Sequence, residues 1–261
     1  MSTKNRVKFT VEGIHPLLSL VRDHFISRGL ALVPLSEEPD FCLVGAGLEN
    51  EIHPPLAQLE LQKMHVGDKP VLLLSTQEFH VSTDEDSRED SCIGYSPLWT
   101  PERQATCIYA MAAENMFLHR GQASTIVVRP HNVYGPDITW GFVHESILAA
   151  KKKEKLVNPR NHWCSTCFIH QEDFLKAIDL LLKNEADGIF NVTSSETVTY
   201  VNLLRNIWKF IHGADEEPEI ESDPIPIYLE NDLPRIVKLH KTVGWMPKIS
   251  LRSGIFKMVQ E

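Results

Sequence analysis

Val7-Lys-Phe-Thr-Val11 alternates apolar and polar side chains in the manner of a strand with one covered face. Leu17, Leu18, Val21, Phe25 and Ile26 then recur at helical spacing, and Gly29 ends the run. A second strand is expected at Leu30–Leu35. Phe41–Ala46 and Val71–Ser75 are short, continuous apolar runs, the pattern of strands covered on both faces of a parallel sheet. Between them residues 54–66 are expected to be helical, residues 103–119 form another helix, and Thr125–Arg129 a further strand. Strands alternating with helices predict an α/β fold with a doubly wound parallel sheet.

Beyond residue 137 the pattern is less regular. Helices are expected at 141–153, 172–184, 199–212 and 251–260, with short strands near Cys167–Ile169 and Ile189–Val192. The acidic, proline-bearing stretch 214–226 reads as a surface loop, as does 81–91, rich in Ser, Asp and Glu. The run Lys151–Lys155 reads as the solvated end of a helix.

Composition narrows the class. The 261 residues suffice for one large domain, or one domain with a smaller lobe. A hydrophobic content of 43% with 23% charged residues is ordinary for a globular protein. No apolar run approaches the ~20 residues of a membrane helix, and no secretory signal is evident, so neither membrane nor export is expected. A formal net charge of −9 argues against nucleic acid as a partner, because phosphate backbones demand clustered positive charge. Five cysteines, an odd count, suit a reducing cytoplasm better than a disulfide framework.

Four segments then stand in a telling order. They are Arg129-Pro-His-Asn-Val-Tyr-Gly-Pro136, Phe168-Ile-His-Gln-Glu-Asp173, Gly188–Val192 with Ser195 and Val198, and Gly244-Trp-Met-Pro-Lys-Ile-Ser-Leu251 with Gly254. In order and spacing the chain resembles the extended short-chain dehydrogenase/reductases, the NAD-dependent nucleotide-sugar epimerases and dehydratases. The resemblance implies a Rossmann-like domain, placed at residues 1–140, and a smaller α+β substrate-binding lobe at 141–261, partly interleaved with it. It also implies NAD or NADP as cofactor, a nucleotide-sugar-like ligand, and assembly as a homodimer or with a homologue. Leu74-Ser-Thr-Gln-Glu-Phe79 is similar to a segment of the family's 4,6-dehydratases and decarboxylases. That similarity makes Thr76 the hydroxyl on the sugar's 4-oxygen and Glu78 the carboxylate that moves a proton beside a carbonyl. Asn132 takes the place of an asparagine on the substrate's diphosphate, or else caps the turn at Tyr134-Gly135-Pro136. Arg235 is a further phosphate contact, and Asp173 caps or orients the helix after it.

The cofactor half departs from the family pattern. Its helix carries Tyr-x-x-x-Lys-x-x-x-Glu; with that Glu on Glu114, Thr106 replaces the tyrosine at the substrate and Ala110 replaces the lysine. Starting from Tyr109 instead puts Ala113 at the lysine; Tyr109 then either substitutes in catalysis or packs in the core. The glycine-rich fingerprint is reduced to Gly13 within Val11–Leu18, where Glu12 adds negative charge and Pro16 removes a backbone donor. The second strand ends in Leu35-Ser36 without the acidic residue that holds a ribose. Five residues, Ser36 to Asp40, replace the next helix and strand, so the N-terminal half is shortened. On the substrate side Gln77 replaces an acidic aspartate, and Thr166 replaces an arginine. NAD or NADP is therefore implied by the resemblance and opposed by the residues.

Histidines and cysteines leave other chemistry to weigh. His131 is the best spare acid–base candidate, with His15 and His80 also near the expected cleft; each has a structural alternative. Cys164-x-x-Cys167 lies between His162 and His170, at spacing that zinc accepts. Cys167 and His170 are three apart in an extended segment and face opposite ways, so no metal is expected.

Three functions follow. The first is a divergent nucleotide-sugar epimerase/dehydratase-like protein that binds such a ligand and, if active, performs epimerisation, isomerisation or elimination by proton transfer without hydride transfer. The second is an inactive relative that acts as partner of an active homologue. The third is a conventional NAD(P)-dependent enzyme with an atypical cofactor site.

Overall fold

The computed structural model describes residues 6–46, 63–77, 89, 101–121, 123–159, 164–222 and 233–260. Glu78, His80, His162, the loop 81–91 apart from Glu89, and most of the helix expected at 54–66 lie outside the described residues. Of that helix the structure describes one turn, at residues 63–66.

Contacts divide the chain into two units. The first comprises Met1–Phe79, Gly94–Pro130 and Ile178–Phe190, and the second His80–Ile93, His131–Ala177 and Asn191–Glu261. The first is built on β1 (Lys8–Ile14), α1 (Leu18–Ser27), β2 (Ala31–Leu32), β3 (Phe41–Ala46), β4 (Val71–Leu74), α2 (Pro101–Leu118) and β5 (Thr125–Pro130). With β10 (Gly188–Val192) these strands form one sheet in the order β10-β5-β4-β3-β1-β2. The pairings from β2 through β5 are all parallel. From β1 the chain moves outward to β2, then returns to β3 on the other flank of β1, the doubly wound order expected.

Every residue of β3 and β4 is buried, which explains their unbroken apolar sequence. Tyr109, Ala113 and Phe117 recur every fourth residue along α2 and pack on Cys42, Val44, Leu73 and Val127. Burying Phe117 alone removes enough apolar surface to contribute about 2–3 kcal/mol.

Two strand boundaries differ from the sequence expectation. β1 runs on through Glu12 and Gly13 to Ile14, because its ladder with β3 continues to Gly13↔Gly45 and Ile14↔Ala46. The second strand shrinks to Ala31–Leu32, paired to Lys8 and Phe9, and Leu35–Glu37 is a 3-10 turn. Among the described residues, β1 has no ladder partner on its β2 flank beyond Phe9.

The second unit holds β6 (Val133–Tyr134), α3 (Phe142–Lys151), β7 (Leu156–Asn158), β8 (Ser165–Cys167), β9 (Ile169–His170), β11 (Thr197–Thr199), α5 (Tyr200–His212), β12 (Ile220–Ser222), α6 (Val237–Val243) and α7 (Leu251–Gln260). Between β9 and β10 runs α4 (Gln171–Lys183). Thr199 caps α5 by accepting from the Asn202 N–H at 3.2 Å, and Leu204, Ile207 and Trp208 bury its inner face. The ladders are short: β6 with β9, β7 with β12, and an antiparallel β8 with β11. The stretch 214–226, expected as loop, contains β12, because Ile220–Ser222 adds itself to β7. Strand β7 and helix α6 were not expected from the sequence; each is too short to show a period.

Gly254 sits inside α7 for a steric reason. A Cβ there would lie 2.2 Å from the Tyr134 hydroxyl oxygen, so the glycine admits the Tyr134 ring to the helix face.

Among the described residues no helix is long and apolar enough to cross a membrane.

Candidate functional site

The C-terminal ends of β1, β3 and β4 form the edge where doubly wound sheets place their ligands. Among the described residues one histidine bridges that edge. His15 follows β1 directly, and its Nδ1 accepts the backbone N–H of Leu17, the N-cap of α1, at 3.1 Å. Its Nε2 therefore carries the proton and donates to the Ser75 carbonyl at 2.9 Å, just past β4. Since β3 lies between β1 and β4, the imidazole spans the end of β3. It covers the crevice where strand order reverses. Burial disfavours the charged ring and pushes its pKa down to about 4.

In a dinucleotide fold this turn gives up its side chains so that backbone N–H groups at the helix start can meet a pyrophosphate. The structure puts a neutral imidazole there and consumes the Leu17 N–H. Gly13, the one glycine of the expected fingerprint, lies in the β1 ladder opposite Gly45, not in the turn. These residues do not fit a dinucleotide held in that manner.

Ser75 ties this edge to a buried ion pair. Its hydroxyl donates to Glu114 Oε1 at 2.6 Å. The Arg129 guanidinium grips the same carboxylate twice, Nε to Oε1 at 2.9 Å and Nη2 to Oε2 at 2.6 Å. Glu114 is 3% exposed and Arg129 1%. Neither residue was a sequence candidate, although Glu114 anchored the family alignment. The available signal was Arg129, a charge closing the apolar run Ile126–Val128, since a charge buried there requires a partner.

The predicted catalytic positions of this unit are distributed unevenly. Thr76 and Thr106 are partly exposed, one past β4 and the other on the second turn of α2. Tyr109 sits in the cluster around Val44 and Leu73, and burial raises its pKa. A general base of this type needs the opposite shift. Ala110 and Ala113, the two positions aligned with the missing lysine, are fully buried.

In the second unit His131, Asn132 and Thr166 come together. Asn132 Nδ2 lies 2.9 Å from Thr166 Oγ1, 3.0 Å from the Cys167 carbonyl and 3.0 Å from His131 Nε2. His131 Nε2 is itself 2.9 Å from Thr166 Oγ1. Asn132 adopts φ 45°, the left-handed conformation that asparagine tolerates, and its carbonyl accepts from Ile169 at 3.2 Å. Its amide nitrogen thus holds β6 against β8. Arg235 is not part of this cluster; it lines a separate cavity with Cys167. Asp173 accepts from the backbone of Lys248 and Ile249, both at 2.8 Å, and so braces the approach to α7.

Cys164 and Cys167 are buried thiols. His170 Nδ1 accepts the Glu172 N–H of the helix that follows it, and its ring meets Tyr134 edge-on at 5.4 Å. Among the described residues no group of three or more His, Cys, Asp or Glu converges to hold a metal ion.

Comparison with known proteins matches this architecture. No family model matches the chain. It is 29% identical over 153 residues to UDP-glucuronic acid decarboxylase 2 of Arabidopsis thaliana, covering 56% of the chain and 33% of that enzyme. It is 27% identical over 205 residues to the dTDP-D-glucose 4,6-dehydratase of Mus musculus, covering 69% and 54%. The matches thus span a third to about half of these relatives' lengths. Among solved structures, the Bordetella bronchiseptica enzyme WbmG in complex with NAD and UDP superposes with a TM-score of 0.77 at 14% identity, over 98% of the chain and 94% of WbmG. The resemblance to the extended short-chain dehydrogenase/reductases is borne out, and the Rossmann-like α/β fold is theirs.

Proposed function

We propose that this chain binds a nucleotide sugar, or a ligand of similar phosphorylated chemistry, without a dinucleotide. One observation carries the reading: His15 spans the crevice from α1 to Ser75, in the place where a pyrophosphate would otherwise meet the helix. Hydride transfer then has no carrier, and the core-bound Tyr109 offers no acidic phenol to assist it. Any turnover is proton transfer on a substrate that already carries a carbonyl, with Glu78 as base and Thr76 on the oxygen. The UDP held by WbmG and the nucleotide-sugar names of the relatives support this ligand class.

Equilibrium titration tests the proposal. UDP, dTDP or one of their sugars should bind saturably, while NAD(H) and NADP(H) show no saturable binding. Turnover of the bound sugar should disappear in Glu78→Gln with ligand affinity retained. Tight binding of either dinucleotide would sink the reading and restore a conventional enzyme.

A second reading, in which the chain pairs with a homologue, rests on α2. Ile108 points outward there, 51% exposed on a helix whose opposite side is core. Pairing through this helix predicts that sedimentation shows a dimer, or a complex with an active relative, that Ile108→Glu dissociates. A monomer in both wild type and variant removes this reading.

A further inference from the structure

The β8–β11 ribbon separates two environments. Residues directly opposite in an antiparallel pair share a face, so Cys167 and Thr197 lie on one side and Thr166 and Val198 on the other. The Thr166 side carries the His131–Asn132 cluster. The Cys167 side opens on a cavity of about 450 Å³, within the range of small-molecule sites.

We infer that this cavity binds a small organic anion, its apolar body against Ile236, Val237 and Met246 and its charged oxygens at the rim formed by Arg235, His240 and Lys241. The apolar wall comes from α6 and the segments flanking it, with the buried Cys167 side chain also contributing. The charge pattern selects the ligand's sign. Although the chain carries a net −9, among the described residues no Asp or Glu lines the cavity, while Arg235, Lys241 and the imidazole of His240 do. Glu196 lies in sequence between the lining residues Ser195 and Thr197, yet its carboxylate is committed elsewhere, accepting the Leu251 N–H at 2.8 Å. The hydroxyls of Ser195 and Thr197 supply neutral donors to the same head group. A carboxylate, sulfonate or phosphate satisfies this rim equally; the body must be apolar.

The full chain titrated with 1-anilinonaphthalene-8-sulfonate should give saturable fluorescence at one equivalent. Decanoate and decyl phosphate should displace the dye, decanol should not, and UDP should leave it bound because it is expected on the other face of the ribbon. Lys241→Glu should weaken the dye about tenfold, with Lys241→Arg restoring affinity, and Met246→Trp should fill the cavity and abolish binding. Thermal unfolding and UDP affinity of each variant are measured alongside, to separate this site from the nucleotide site. Dye binding that does not saturate, that decanol displaces as well as decanoate, or that survives both Lys241→Glu and Met246→Trp overturns the inference. Loss of UDP binding with the dye site intact overturns only the function proposed above.

Discussion

Glu114→Gln lowers the free energy of unfolding by about 3–5 kcal/mol, the range for breaking a buried ion pair by removing the charge of one partner. The amide keeps the carboxylate's shape, so the cost isolates charge from packing. Arg129 would remain at 1% exposure with one of its two bonds to this side chain weakened and the other lost, because the amide nitrogen cannot accept, and the Ser75 hydroxyl would lose an ionised acceptor. Urea unfolding at unchanged slope is the measurement. Replacing both partners, Glu114→Leu with Arg129→Met, should recover most of the loss, because two apolar side chains remove the buried charges altogether. A Glu114→Gln cost below about 1 kcal/mol, the ordinary value for an exposed pair, would contradict the buried geometry.

The second large effect is a pH dependence carried by His15. The folded ring is neutral with its pKa pushed down to about 4, while in the unfolded chain it titrates near 6.5. Below pH ~6.5 the unfolded state therefore binds the extra proton, and stability falls as pH drops from ~6.5 towards ~4. Stability from this group is complete above ~6.5 and lost by ~4. Allowing for the ring's partial exposure, the loss should be on the order of 2 kcal/mol. His15→Gln provides the comparison, since its amide can donate to Ser75 without titrating. The stability difference between wild type and variant should shrink on acidification across that window. A difference that stays constant with pH would remove His15 as a neutral plug.

Much of the first unit was readable because its strands are covered on both faces. Phe41–Ala46 and Val71–Leu74 admit only apolar residues, so their composition alone marks them. Helix α5 was readable for a different reason: Val201, Leu204, Ile207 and Trp208 recur at helical spacing. The extension of β1 was not, because Glu12 and Gly13 break the alternation and only the partner strand β3 sustains the ladder there. Strands β7 and β12 are three residues each and owe their existence to one another across the chain.

The site followed the same division. Asn132 and His131 stand out from local motifs, and the structure brings them together on Thr166, which takes the place of an arginine in the family pattern. What no local pattern carried was His15 bonded to Ser75, 60 residues away, or Glu114 to Arg129 across 15. A hydrogen bond between distant residues leaves no period in the sequence. Its trace is a polar side chain in an apolar setting, as with Arg129.

The short β2 has a consequence for how copies of the chain meet. With β2 paired only at Lys8 and Phe9, the remainder of β1 from Thr10 to Ile14 is, among the described residues, an edge with a backbone ladder on offer. Such an edge invites a strand from a neighbouring molecule and, from there, aggregation. Glu12 stands midway along it and is partly exposed. A charge in that position repels the same approach from an identical chain, where a second Glu12 would arrive with it. The carboxylate that is out of place beside a phosphate is well placed to hold two such edges apart.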